Sequence, residues 1–235
     1  MIPMDLSIVI PCYNEEKNIP LILEKFSKII NREGIEVLLV NNGSTDNSEK
    51  IFNELVPMYP FARVVNVDIN QGYGFGITSG LKEAKAEFIG YTHADMQTDP
   101  SDVLKALEII EKQEDPMNCY VKGDRKGRPV FDQIFTMGMS FFETIYLKTK
   151  LWDINAQPNI FHRSFFEGLS DIPNDFSLDL FFLYIAQKNG YKTIRFKVFF
   201  PPRLHGESKW NTGFSSKIKF IKRTFAFSFK LKKEL

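Results

Sequence analysis

Cysteine is scarce in this chain: two in 235 residues, Cys12 and Cys119, each in or beside an apolar, strand-like run. Two thiols without metal-ligand spacing build neither a disulfide framework nor a zinc site, so both are expected to be reduced and buried in a cytoplasmic protein. No apolar run reaches the roughly 18 residues of a spanning helix, which restricts any expected membrane contact to the periphery. The opening residues, Met1 to Asp5, lack a basic segment ahead of an apolar core, and no signal peptide is expected there. Internal repeats and low-complexity segments are also missing.

An excess of charge is absent overall, but not locally. The net charge is +1, yet residues 215–235 hold seven Lys/Arg and one Glu, a tail of +6 on a body of −5. A basic tail on a mildly acidic body suits an anionic surface and argues against general nucleic-acid binding.

What is present is alternation. Leu6 to Pro11, Glu36 to Val40, Arg63 to Val67 and Phe88 to Thr92 are short, β-branched or aromatic runs that read as buried strands. Helical spacing lies between them, from Asn18 to about Ile30, around Ile51, Phe52 and Leu55, and from Gly76 through Ala86. This βαβαβαβ order predicts an α/β fold with a mostly parallel, helix-covered sheet. The second half is less regular. A helix is expected from Pro100 to Lys112, a strand at Cys119 to Gly123, helices at Phe131 to Leu147 and Phe176 to Lys188, and a strand at Thr193 to Phe200. Residues 1–116 read as a nucleotide-binding half, 117–210 as an acceptor half, and 211–235 as a basic amphipathic tail.

Each strand of the first half ends in a polar cluster, at the sheet edge where ligands of parallel α/β proteins gather. The fourth is the most specific. His93, Asp95 and Gln97 alternate, so one imidazole and two oxygens can face a common spot, a set that suits Mn²⁺ or Mg²⁺ with positions left for phosphate oxygens. The competing reading is a polar loop in which Thr98 or Asp99 caps a helix starting at Pro100. The dinucleotide fingerprint is missing after the first strand, and Gly72, Gly74 and Gly76 read equally well as a tight turn.

The ordered set Pro11-Cys-Tyr-Asn-Glu15, Asn41-Asn-Gly-Ser-Thr-Asp46, His93-Ala-Asp-Met-Gln97, Gly123 with Arg125, and Arg203-Leu-His-Gly-Glu-Ser-Lys209 resembles family 2 glycosyltransferases, especially the dolichol- or polyprenyl-phosphate sugar transferases. The resemblance covers about residues 5–210. It implies a GT-A fold, a nucleotide-sugar donor, a divalent metal and inversion at the anomeric carbon. Carried over by position, it places Pro11, Tyr13, Glu15, Asn42, Gly72, Ala94, Asp95, Arg125 and Ser208 at the nucleotide-sugar. Metal binding falls to His93, Asp95 and Gln97, and catalysis to Asp95, Asp179, Arg203 and Lys209, with Asp179 as base or acceptor contact.

Three departures from the family pattern each remove a carboxylate. Asn41 and Asn42 stand where aspartates are usual, and an amide donates as well as accepts, which opens the site to bases other than uracil or guanine. His93 replaces an aspartate, which favours Mn²⁺ over Mg²⁺. A fourth departure removes no carboxylate: Ala156-Gln-Pro-Asn159 replaces a Gly-Ser-Phe-Arg pattern, which implies a different sugar or acceptor pocket. The expected partners are a nucleotide-diphosphate sugar, a lipid phosphate or glycan acceptor, and an anionic membrane surface or membrane subunit. Phe214, Ile218, Ile221, Phe225 and Phe229 recur at helical spacing in the tail, with Lys219, Arg223 and Lys230 largely opposite. Such a helix suits the inner face of the cell membrane, or packs on its own domain. The alternatives in function are transfer to a sugar hydroxyl of a surface glycan and a non-catalytic nucleotide-sugar-binding subunit.

Overall fold

Strands β1 (Leu6–Cys12) and β2 (Ile35–Asn42) are buried on both faces, as unbroken apolar runs of this length require. The computed structural model describes residues 5–201 and 214–234, with the side chains of 131, 214–220 and 234 outside the description. Between and after these strands come α1 (Ile19–Ile29), α2 (Ser48–Leu55), β3 (Ala62–Val67), α3 (Tyr73–Glu83) and β4 (Phe88–Tyr91). The second half contributes α4 (Ser101–Glu111), β5 (Cys119–Lys126), α5 (Val130–Leu147), β6 (Asn159–His162), α6 (Arg163–Glu167), α7 (Leu178–Lys188), β7 (Lys192–Phe199) and α8 (Phe214–Glu234).

All seven strands join one sheet in the order β3-β2-β1-β4-β6-β5-β7. Only β6 runs against its neighbours, pairing antiparallel with β4 and with β5. Two reversals restore the direction, so β5 and β7 point the same way as β1 to β4, and their carboxyl ends share one edge. The expected mostly parallel sheet is therefore present, and the two sequence halves are joined through β4 and β6.

Side-chain alternation along β1 and β2 divides the core between the two faces. Val9, Leu38 and Val40 pack with α3 and α7 on one face. Ile8, Ile10, Val37 and Leu39 pack with α1 and α4 on the other. Helix α3 begins at Tyr73, three residues earlier than its sequence suggests, and so takes Gly74 and Gly76 into its first turns. Close approach of three different neighbours explains a helix so rich in glycine: the 173–175 segment at Gly74, the Asn42 side chain at Gly76 and the sheet at Gly80. A Cβ on Gly80 would lie 2.4 Å from Val9 Cγ1 and 2.8 Å from Val40 Cγ2. The cost of a helical glycine, about 1 kcal/mol, is offset by this packing.

The described part of α8 lies on its own domain. Phe225 approaches Phe142 of α5 at 4.1 Å between ring centroids, and Leu231 is buried in the core. Of the expected apolar stripe, Phe214 and Ile218 have side chains outside the described residues, Ile221 and Phe225 are half-buried, and Phe229 is exposed. Between the two helices Ser228 Oγ donates to Glu143 Oε2 at 2.6 Å, while Glu143 Oε1 is buried with no donor among the described residues.

Burial pushes the Glu143 carboxyl up to about 7, against a smaller opposing effect of the Ser228 hydrogen bond. Because the unfolded chain releases this proton first, stability falls between about pH 4.5 and 7, and the full cost is present above that window. Glu143→Gln is expected to gain about 1–3 kcal/mol at pH 8 and nothing at pH 4 in urea unfolding. An equal gain at both pH values would show that the carboxyl is not the cause.

Candidate functional site

The loops after β1 and β2 are bound to each other. Thr45 N donates to Asn14 Oδ1 at 2.7 Å, Glu15 N to Ser48 Oγ at 3.0 Å, and Glu16 N to Asp46 Oδ2 at 3.2 Å. Pro11 lies opposite Val40 in the parallel register, and Glu15 Oε2 accepts from the buried Asn18 at 2.6 Å. Tyr13 and Glu15 thus stand on a loop that the neighbouring strand's loop holds in shape. Asn41 accepts from Ser44 N at 3.3 Å. Asn42 Nδ2 donates to Gly72 O at 3.1 Å, which leaves Asn42 Oδ1 buried with no donor among the described residues. A buried acceptor of that kind is what the N–H of a nucleobase can satisfy. Gly72 itself has φ +118, and a Cβ there would lie 2.4 Å from Asn174 O, so the turn before α3 admits glycine alone.

After β4 the chain bends, with Met96 at φ +59, and buries three residues in a row. Ala94 and Met96 are in the core beside Val103, Asp95 lies between them, and His93 and Gln97 are half-buried on either side. The Ala94 side chain is therefore spent on packing, and only its backbone remains for a ligand. Asp95 Oδ1 accepts from Gln97 N at 3.1 Å. The helix-cap reading also holds one residue on, where Asp99 Oδ1 accepts from Ser101 N at 2.8 Å. Gln97 Nε2 donates to Pro201 O at 2.9 Å, so the segment after β7 leaves from directly beside this loop. Arg203, Ser208 and Lys209, which that segment carries, lie outside the described residues.

No group of three or more His, Cys, Asp or Glu forms a metal cage among the described residues. One carboxylate, one imidazole and one amide oxygen still fit a hard or borderline divalent cation that draws the remainder of its shell from phosphate oxygens.

The structure also assembles a cluster that the sequence reading passes over. Asp179, on the first turn of α7, is 1% exposed. Its Oδ1 accepts from Tyr91 Oη at 2.8 Å and from Gln157 Nε2 at 3.0 Å. Gln157 Oε1 accepts from Asn159 Nδ2 at 2.6 Å. Asn159 Oδ1 in turn accepts from Lys122 Nζ at 2.6 Å and from Tyr120 Oη at 3.0 Å. Lys122 is fully buried and also donates to Ala156 O at 2.7 Å. Burial pushes the Lys122 ammonium down to about 7, against the opposing field of Asp179. Burial, with Asp179 next, pushes the phenols of Tyr73 and Tyr91 well up, so both stay neutral. The available signal was a lone lysine inside the apolar strand Cys119 to Gly123, together with the unusual Ala156 to Asn159 segment.

Tyr73 links this cluster to the metal-candidate loop. Its ring lies 5.8 Å from His93, stacks on Phe176 at 4.4 Å, and its hydroxyl accepts from Gln157 Nε2 at 3.2 Å. Arg223 of α8 lies over the other end of that row, 5.3 Å from the Phe176 ring. Arg125 is held by Asp153, with Nε donating to Oδ1 and its backbone N to Oδ2, both at 2.9 Å. Burial raises the Asp153 carboxyl, but the charge and hydrogen bonds of Arg125 outweigh that and hold it below its ordinary value. Arg125 is thus a cation fixed in place at the carboxyl end of β5, beside Phe200.

Residues 7–169 match the family described as glycosyl transferase family 2. The chain is 26% identical over 213 residues to a dolichol-phosphate mannosyltransferase of Pyrococcus furiosus, covering 88% of this chain and 59% of that one. It superposes with TM-score 0.74 on glucosyl-3-phosphoglycerate synthase of Mycobacterium tuberculosis in complex with UDP, at 16% identity over 98% of this chain and 80% of that. A mannosyltransferase of Pyrobaculum calidifontis in complex with GDP-Man and Mn²⁺ superposes with TM-score 0.72, at 19% identity over 98% and 65% of the two chains. The matches span between 34% and 59% of the length of the first curated relatives. The expected GT-A architecture is the one the structure displays.

A lysine whose folded-state pKa lies below its unfolded value makes stability rise with pH across the interval between them, here about 7 to 10. Raising pH from 7 to 9 is therefore expected to improve the wild type relative to Lys122→Met by about 1–2 kcal/mol in urea unfolding. A difference independent of pH would mean that Lys122 is charged throughout.

Proposed function

The chain belongs to the family 2 glycosyltransferases, and from that premise we propose that it moves a sugar from a nucleotide-sugar donor to a polyprenyl phosphate at the cytoplasmic face of a membrane, with inversion. The observation that carries the reading is the convergence of Asp95 with the polar loops after β1 and β2 at one sheet edge, in a chain similar along 213 residues to a dolichol-phosphate mannosyltransferase. Residues 1–116 bind the donor in this account, and residues 117–210 receive the acceptor.

Tyr13, Glu15, Asn42 and the turn at Gly72 hold the nucleoside, with the orphaned Asn42 Oδ1 accepting from the base. His93, Asp95 and Gln97 would hold Mn²⁺ or Mg²⁺, which when bound neutralises charge on the departing diphosphate. Arg125, Arg203 and Lys209 add positive charge around the phosphates, and Ser208 belongs to the loop that covers the donor. An acceptor phosphate is ionised at neutral pH and attacks the anomeric carbon without a base. Asp179, enclosed by Tyr91 and Gln157, then acts by fixing the floor of the acceptor half. A sugar-hydroxyl acceptor is the second reading. It is motivated by Asp179, a carboxylate that would take the hydroxyl proton once Gln157, which donates to both it and Tyr73, moved aside.

Two experiments test these assignments. UDP or GDP with Mn²⁺ is expected to raise the melting temperature of the wild type, and Asp95→Ala to abolish the metal-dependent part of that shift together with turnover. No shift with either nucleotide, and turnover unaffected by Asp95→Ala, would refute the site. Asp179→Asn is expected to keep activity within about tenfold when the acceptor is a lipid phosphate; a loss of about 10²–10⁴ would identify a general base and a hydroxyl acceptor.

A further inference from the structure

The chain of amides between Lys122 and Asp179 has a direction. An ammonium only donates and a carboxylate only accepts, so each end dictates how the amide beside it is turned. Lys122 Nζ donates to Ala156 O at 2.7 Å and to Asn159 Oδ1 at 2.6 Å, which turns Asn159 Nδ2 toward Gln157 Oε1, also at 2.6 Å. Gln157 is left with Nε2 to offer. It offers it twice, to Asp179 Oδ1 at 3.0 Å and to Tyr73 Oη at 3.2 Å. Lys122, Asn159, Gln157 and Asp179 are all buried, so no exchange with bulk water blurs the order.

Tyr73 is the outlet of this chain. A phenol hydroxyl carries one proton and can donate it while accepting from another group. Because Gln157 Nε2 points at Tyr73 Oη, the Tyr73 proton is turned away from Gln157, and it finds no acceptor among the described residues. Burial, then the fields of Asp179 and Asp95, push this phenol well up, so the proton stays on the oxygen. The ring is fixed as well. It stacks on Phe176 at 4.4 Å with an interplanar angle of 6°, and it lies 5.8 Å from the His93 ring. Its backbone follows the Gly72 turn and is pinned one turn on, where Phe75 N donates to Asn174 O at 2.9 Å.

We propose that the Tyr73 hydroxyl, held as a donor by Lys122 through Asn159 and Gln157, gives a hydrogen bond to the sugar of the nucleotide-sugar. This inference rests on the donor reading above and deepens it by naming a sugar contact that no motif of the sequence marks. In a transfer with inversion the anomeric carbon is bonded to the diphosphate on one side and attacked by the acceptor on the other, so the sugar lies between the metal-candidate loop and the acceptor half. Tyr73 occupies that interval. Its ring is beside His93, and Gln157 bridges its hydroxyl to Asp179. A neutral donor matches an uncharged sugar oxygen, whereas the diphosphate calls for the cations already assigned to it. Gln157 and Asn159 both come from the Ala156 to Asn159 segment that departs from the family pattern, which ties the contact to the part of the pocket where this chain differs.

The test is isothermal titration calorimetry of the full 235-residue chain with Mn²⁺ and UDP, UDP-glucose, UDP-N-acetylglucosamine, GDP or GDP-mannose. Tyr73→Phe is expected to weaken the nucleotide-sugar that wild type binds by about three- to tenfold, the worth of one hydrogen bond, and to leave the matching diphosphate within about twofold. Asn159→Asp replaces the amide that donates to Gln157 by a carboxylate that only accepts. Gln157 then turns its Nε2 to residue 159 and its oxygen to Tyr73, whose proton is spent in the interior. The same sugar-selective loss is expected, and Tyr73→Phe/Asn159→Asp is expected to bind no more weakly than the weaker single variant. Tyr59→Phe, a hydroxyl lost before the amino end of β3 and so at the opposite sheet edge, is the control and is expected to match wild type throughout.

Equal weakening of sugar and diphosphate by Tyr73→Phe, as a hydroxyl serving only the packing of the chain would give, overturns the inference. No weakening of either does the same, as does a wild type that binds a diphosphate but none of the nucleotide-sugars. A sugar-selective loss in Tyr73→Phe with none in Asn159→Asp overturns the amide chain as its cause. In each of these outcomes the diphosphate arm still reports the nucleotide site and leaves the function proposed above standing. A wild type that binds none of the five ligands removes that function, and this inference with it.

Discussion

A carboxylate and an ammonium group share the interior of this sheet, and the rest of the structure is arranged to answer them. Asp179 and Lys122 do not touch; Gln157 and Asn159 stand between them, with Tyr91 and Tyr120 as the flanking donors. An isolated charge in such a place would cost several kcal/mol, whereas a fully connected network lowers that cost and fixes one arrangement of the groups that form it. The network draws on β4 from the first half of the chain and on β5, β6 and α7 from the second. Its integrity therefore fixes how the two halves of the sheet face each other, and Tyr73 extends it to the His93 loop.

Helices α5 and α8 divide another task between them. Each alone reads as apolar with scattered polar residues, and a pair of such helices in water must bury a face against something. They bury against each other and against α7, through Phe142, Phe225, Phe227 and the Ser228 to Glu143 hydrogen bond. That choice leaves α5 with an uncovered hydrophobic side and α8 with an uncovered basic one.

Much of the architecture was legible because burial on both faces makes a parallel strand an unbroken apolar run. Leu6 to Pro11, Glu36 to Val40 and Phe88 to Thr92 needed no further information. The polar clusters after them were equally plain, although the bend at Met96 buries Asp95 together with Ala94 and Met96 instead of alternating them. Reading the glycines was harder. Gly74 and Gly76 look like a turn, yet they are helical, and a neighbour distant in sequence holds each to glycine: a Cβ would lie 2.3 Å from Pro173 O at Gly74 and 2.7 Å from Asn42 Nδ2 at Gly76. Propensity is a local quantity, and here a contact distant in sequence overrode it.

Residues Lys122, Gln157 and Asn159 illustrate what no periodicity could reveal. Lys122 lies on β5 and the other two at the entry to β6, and only the antiparallel insertion of β6 between β4 and β5 brings them together beside Asp179. The same holds for the tail, whose residue spacing announced a two-sided helix but not which side would be covered. By itself the sequence determined the strands, the polar edge and the family, since these follow from local composition and from motifs read in order. Tertiary structure alone decided which polar groups meet in the interior and which apolar face is left in water, because both depend on contacts between segments far apart in the chain.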